Sequence, residues 1–233
     1  MKISITSFKK VLLSVVLLFI LSVPTLAQKA KWDSTYRPGK YLEKVAEFKA
    51  NPIVKNDIVF LGNSITAGTD WSKLLNLSNA KNRGISGDIT FGVLERLDEV
   101  ISGKPAKVFV LIGINDVSRN IPDSLILKNY RKIIDRIRNG SRKTEIYFYT
   151  LLPVNSSFGK FKNHYGKDEH ILSLNNQIRE FDKMKKVTVI DLYPHFLDEQ
   201  KRLKAELTKD GLHLVPAGYE VWAEVLRKGG YLK

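Results

Sequence analysis

Ile58-Val59-Phe60-Leu61-Gly62-Asn63-Ser64-Ile65-Thr66 opens as four apolar residues and breaks at once into glycine, asparagine and serine. A run so short is no helix, and one that is apolar at successive positions fits a strand covered on both faces. The same kind of run returns at residues 108–112, 146–151 and 187–190. Between these runs the period changes. Ile126, Tyr130, Ile133, Ile134 and Ile137 form one helical stripe, with Pro122 near its start and Gly140 just past its end. Ile171, Leu174, Ile178 and Phe181 repeat the pattern, and Val221, Trp222, Val225 and Leu226 make a last helix. Residues 41–49 read as a short helix, after a polar, loose leader over 28–39. Strands alternating with helices of this length predict an α/β fold: a parallel sheet between two helical layers. In such sheets the reactive groups belong in loops beyond the carboxyl ends of the strands.

The composition agrees with one ordinary globular domain. Of 233 residues, 43% are hydrophobic and 27% charged, which excludes disordered, collagen-like and coiled-coil readings. The absence of cysteine excludes a disulfide framework, a thiolate metal site and a thiol nucleophile.

The N-terminus has the three-part layout of a secretory signal. Lys2, Lys9 and Lys10 precede an apolar run over 11–23, interrupted by two serines, and Thr25-Leu26-Ala27 follows. Thirteen residues span only about 20 Å as a helix, against a hydrocarbon core of about 30 Å, so a permanent anchor is the weaker reading. Cleavage near Ala27 is expected, giving an exported protein, periplasmic or secreted. The segments are then a signal peptide over 1–27, a leader and short helix over 28–50, and the main domain over 51–233. The formal charge is +14, and it becomes +11 without the three signal lysines. Basic residues interleave with acids on amphipathic stretches, which speaks against nucleic acid and leaves transient contact with anionic surfaces as an expectation.

Four blocks lie where chemistry is expected. Ser64 follows the first strand, where a glycine permits a tight turn and a serine at a helix start exposes its hydroxyl. Serine is also a common helix cap. Gly84, in Asn82-Arg83-Gly84, lets a backbone N–H approach a ligand, or merely turns the chain. Asn115, in Gly113-Ile114-Asn115-Asp116, offers a neutral amide donor of the kind that suits a developing oxyanion. In Asp210-Gly211-Leu212-His213, a carboxylate three residues before a histidine can hold one imidazole nitrogen while the other faces a serine. His164, His170, His195 and His213 show no metal-binding spacing, and no metal or other cofactor is expected.

Together the blocks resemble the SGNH hydrolases, also called GDSL esterases and lipases, named for serine, glycine, asparagine and histidine in four separated blocks. The run Gly84-Ile85-Ser86-Gly87-Asp88 looks most like the branch related to platelet-activating-factor acetylhydrolase subunits and bacterial lysophospholipase-like enzymes. One departure stands out: Asn63 replaces the aspartate of the eponymous Gly-Asp-Ser-Leu. The resemblance implies a flavodoxin-like three-layer sandwich with about five parallel strands. It also implies Ser64, His213 and Asp210 as catalytic residues, and Ser64, Gly84 and Asn115 as the oxyanion hole.

Substrate contacts are expected from Asn63 and from the loop over 153–167, through Phe158, Phe161, His164 and Tyr165. Mixed aromatic and polar residues suit a sugar ring, and an exposed loop with a few packed aromatics is the competing reading. No continuous apolar face suggests an acyl tunnel, which favours a short acyl group, acetyl first, on an exported glycan or small-molecule ester. Lysophospholipid or thioester hydrolysis, acyl transfer, and a catalytically silent glycan- or lipid-binding protein are the alternatives.

Overall fold

The computed structural model describes residues 32–233, so the expected signal peptide lies outside the described residues. Helix α1 (Tyr41–Ala50) leads into β1 (Ile58–Gly62). The single turn α2 (Ser64–Ala67) and α3 (Trp71–Leu75) follow, then β2 (Ala80–Gly84), α4 (Thr90–Ile101) and β3 (Lys107–Leu111). Beyond these come α5 (Ile114–Ser118), α6 (Asp123–Gly140), β4 (Glu145–Tyr149), α7 (Asp168–Arg179), β5 (Val187–Ile190) and α8 (Pro216–Lys228). The five strands form one sheet in the order β2-β1-β3-β4-β5, parallel throughout. This is the expected three-layer sandwich. The strand order reverses between β1 and β3, where Gly62 pairs with Leu111, and a crevice opens beyond such a reversal.

Side-chain alternation along each strand assigns the two helical layers. Tyr149 stands edge-on to Trp222 of α8, with ring centroids 5.0 Å apart. Its neighbour Phe148 faces the other way, 4.9 Å from Tyr130 of α6. On the α3/α8 side an aromatic row crosses the sheet: Trp71 stacks on Phe60 at 4.0 Å, Phe60 on Phe109 at 5.0 Å, and Phe109 on Tyr147 at 4.4 Å. Large rings in offset or edge contact bury much apolar area, and each pair adds about 0.5–1.5 kcal/mol beyond that burial. The α6 stripe is fully buried, as its period requires, although Gly140 is the last helical residue instead of the one just past the end.

Two segments differ from expectation. Strand β2 reads Ala-Lys-Asn-Arg-Gly and carries no apolar run. It is an edge strand, and Arg83 is buried there by an ion pair to Glu99 at 3.0 Å and by the Phe48 ring at 4.7 Å. The leader is packed over residues 32–39. Trp32 stacks on Phe91, Arg37 pairs with Glu95, and Tyr36 lies under the Arg119 guanidinium.

Candidate active site

Strand β1 delivers Ser64. Directly after Gly62, the Asn63 side chain accepts the Ile65 N–H at 3.0 Å and caps α2, so the serine is the first helical residue. Tyr219 of α8 donates its hydroxyl to the Ile65 carbonyl at 2.8 Å and ties the C-terminal helix to that turn.

The partner of Ser64 arrives from 149 residues further along: His213 Nε2 lies 2.9 Å from Ser64 Oγ. Asp210 shapes this loop and holds the ring. Its Oδ1 accepts the N–H groups of Leu212 and His213 at 3.1 and 2.8 Å, and its Oδ2 lies 2.9 Å from His213 Nδ1. Burial works to raise the Asp210 carboxyl. The two N–H groups and the His213 ring outweigh it and hold the group below the usual carboxylate value. Thr208 donates to the His213 carbonyl at 2.7 Å, and the Asn155 N–H binds the Gly211 carbonyl at 2.8 Å, so the turn is braced from two sides. A serine, an imidazole and an ionised carboxylate linked in this order can pass the serine proton to the ring as the oxygen attacks.

Asn115 reaches the same crevice from β3. Gly113 turns the chain at φ 130°, where any Cβ would also collide with the Tyr130 hydroxyl. Asn115 Nδ2 donates to the Asp88 carbonyl at 2.9 Å, and its Oδ1 lies 3.2 Å from His164 Nε2. Burial, followed by the charges of His213 and Arg119, pushes His164 down to about 4. The ring is therefore neutral near pH 7, and its Nε2–H is the donor to Asn115. Beneath this contact, Asp88 and Arg96 form a fully buried pair at 3.0 Å, and Arg96 also binds the carbonyls of Gly62 and Arg83. Asp116 accepts the N–H and hydroxyl of Thr90, holding the start of α4, whose own Ile89 offers no side-chain cap. Burial raises Asp116 to about 7.

Gly84 departs from expectation. Its N–H donates to Asn82 Oδ1 at 2.8 Å, and the Asn82 amide is held by the carbonyls of Thr66 and Thr69. That donor is thus already engaged. What the glycine does provide is close approach, since a Cβ would sit 2.4 Å from Ala67 N and 2.7 Å from the Asn63 carbonyl oxygen.

The cleft above these residues has two lobes, of about 380 and 390 Å³, and Phe161 lines both. The Phe161 ring stands edge-on to His213 at 5.0 Å and to His164 at 5.9 Å. The other expected contacts are corrected. Asn63 is only 1% exposed and caps α2, so it does not face the cleft. Phe158 packs beside Gly211, outside both lobes. Tyr165 accepts the Phe161 N–H and so braces the loop from behind. Asn82 was legible only as a neighbour inside a quoted block, and Tyr219 not at all, because nothing in the sequence marks their bonds. A larger cavity of about 520 Å³ opens at the amino ends of the strands, around Lys55, Lys104 and Lys143, away from Ser64. Among the described residues, no three His, Asp or Glu side chains gather to hold a metal.

Solved structures share this fold. A Streptococcus pneumonia protein bearing the name platelet activating factor is 29% identical, with 95% of this chain and 99% of that one covered at TM-score 0.75. A GDSL-like lipase from Bacteroides thetaiotaomicron is 26% identical over 81% and 96%, at TM-score 0.69. The lipase/acylhydrolase of Enterococcus faecalis is also 26% identical, over 76% and 97%, at 0.63. No curated protein sequence matches significantly. The model of the GDSL-like Lipase/Acylhydrolase family matches residues 60–221, from the strand before Ser64 to the helix after His213. The chain belongs to this family, and it is an ester-bond hydrolase.

Proposed function

We propose that the protein is an exported serine esterase that removes short O-acyl groups, acetyl above all, from carbohydrate. The observation that carries this reading is the relay from Asp210 through His213 to Ser64, 2.9 Å at each side-chain link. His213 takes the Ser64 proton as Oγ attacks the ester carbonyl, and the imidazolium then gives that proton to the departing sugar oxygen. Water, deprotonated by the same ring, releases the acid from the acyl-serine. The oxyanion rests on the Ser64 N–H, unpaired within a helix start, and on the Asn115 amide. The Gly84 N–H reaches it only by sharing or releasing Asn82. One such donor is worth about 10²–10³ in turnover.

The lobe beside His213 supports a short acyl group. It is lined by Ala67, Gly68, Ser86, Leu214 and Tyr219, a small and mixed surface with no apolar tunnel. The Phe161 ring supports a sugar, whose C–H face packs on an aromatic. Export rests on the basic, apolar and small-residue layout of residues 2–27.

A panel of acetylated sugars, p-nitrophenyl esters of rising chain length and lysophospholipid, run on wild type and Ser64→Ala, tests the reading. Wild type is expected to prefer acetyl and to show burst acylation that Ser64→Ala abolishes. Undiminished turnover in Ser64→Ala, or a rise in kcat/KM with chain length, would overturn it.

A further inference from the structure

We propose that the alcohol part of the substrate carries an anionic group, carboxylate or phosphate, and that the lobe beside Asn115 receives it. The inference rests on the short-acyl reading, because an acetyl group cannot extend into a second lobe of about 390 Å³. That volume suits one sugar-sized moiety.

The lining carries three cations, Arg119, Lys160 and Lys162, and no Asp or Glu. Arg119 is placed by the helix that carries the oxyanion amide. Asn115 and Arg119 are four apart on one helical run, and the Arg119 N–H closes that turn on the Asn115 carbonyl at 3.2 Å. Residues so spaced share a face about one turn, or 5–6 Å, apart. The guanidinium is also supported from behind: its carbon lies 3.1 Å from the centre of the Tyr36 ring. The Tyr36 hydroxyl in turn borders Gly87, another residue of the same lobe. The packed leader therefore stands behind two residues of this lobe, Arg119 and Gly87. Asp33, on the same leader, feels the Arg119 charge, but it is exposed and bound by the N–H and hydroxyl of Thr35. His164 adds no charge near neutral pH. An ester with an anion one sugar length from its carbonyl can thus place the carbonyl at Ser64 and the anion at the Arg119 fork, which suits carboxylate and phosphate alike.

The test compares kcat/KM for two matched pairs: an acetylated methyl glucuronoside against its acetylated methyl glucoside, and acetyl glycerol phosphate against acetyl glycerol. At low salt the acidic member of at least one pair is expected to lead by about tenfold, with the lead shrinking as salt screens it. Arg119→Gln should bring the ratio towards one, and an Arg119→Gln, Lys160→Gln, Lys162→Gln variant should abolish it. All three side chains are exposed, so these variants keep the fold. Tyr36→Ala should lower the ratio in part, since it leaves the charge and removes its support. A lead confined to the phosphate pair supports the lobe and assigns a headgroup-like substrate in place of a sugar acid. A wild-type ratio near one, or a ratio the triple variant keeps, overturns the inference and leaves the acetylesterase reading intact. No Ser64-dependent hydrolysis of any acetate overturns that reading itself.

Discussion

The Nε2–H of His164 binds the carbonyl oxygen of Asn115 at 3.2 Å, so a loop residue fixes which way the amide turns. The amide nitrogen donates one hydrogen to the Asp88 carbonyl, which leaves its second hydrogen for a ligand of the crevice that Asn115 lines. A flipped amide would present a lone pair to the oxyanion and repel it.

His164→Ala should therefore act through Asn115. Expected is a fall in kcat of about tenfold with little change in KM, as for a contact that matters in the transition state. His164→Gln supplies an N–H at a similar reach and should restore part of the loss. Because His164 titrates only near about 4, the acid limb of kcat/KM keeps its place in the Gln variant. A loss confined to KM would contradict this role, and steady-state kinetics on p-nitrophenyl acetate separates the two.

Gly84→Ala tests the close approach of β2 to the turn that carries Ser64. The new methyl would meet Ala67 N and the Asn63 carbonyl, both backbone atoms that cannot swing aside. Either the strand or α2 must shift, and a displacement of about 1 Å at a nucleophile costs on the order of 10² in turnover. The melting temperature should fall too, as overpacking costs about 1–3 kcal/mol. Full activity at an unchanged melting temperature would mean that the turn yields freely.

Asp116 and His164 pull stability in opposite directions with pH. Burial raises Asp116 to about 7, so its contribution is full below the ordinary carboxylate value and is lost as pH rises through about 7. His164 is lowered to about 4, so its contribution is full above the ordinary imidazole value and is lost as pH falls from there towards 4. The window just around pH 7 isolates the first. Between pH 6.5 and 8, the urea midpoint of wild type should drop relative to Asp116→Asn, which cannot ionise. Midpoints that run parallel would place the Asp116 titration elsewhere.

The sheet was legible because β1, β3 and β4 are buried on both faces and written as apolar runs, and because β5, an edge strand with Thr188 and Val189 half-buried, still keeps three apolar residues of four. The strand β2 was not, because Lys81 and Asn82 stand half-buried in its middle and Arg83 hides behind Glu99 and Phe48 instead of being replaced by a hydrophobe. Ser64, Asn115, Asp210 and His213 were legible by residue type and block, and the crevice brings all four together. Their supports were not. Asn63 and Asn82 each accept the N–H two residues on, as any asparagine in a turn or cap can, and the bonds of the Asn82 amide to the Thr66 and Thr69 carbonyls have no spacing that a sequence shows. The packing of the leader has no sequence signal for a related reason: Trp32 and Tyr36 stand isolated among polar residues, and only the fold brings Phe91 and Arg119 to meet them.

Ser64 precedes His213, its base in the proposed mechanism, by 149 positions. During synthesis at about 5–20 residues per second, the hydroxyl waits on the order of ten seconds before its imidazole has even been made. Until the last loop docks, the serine is an ordinary alcohol. On the proposed mechanism, reactivity is thus a property of the finished molecule, and a nascent or truncated chain can carry Ser64 past cellular esters without attacking them.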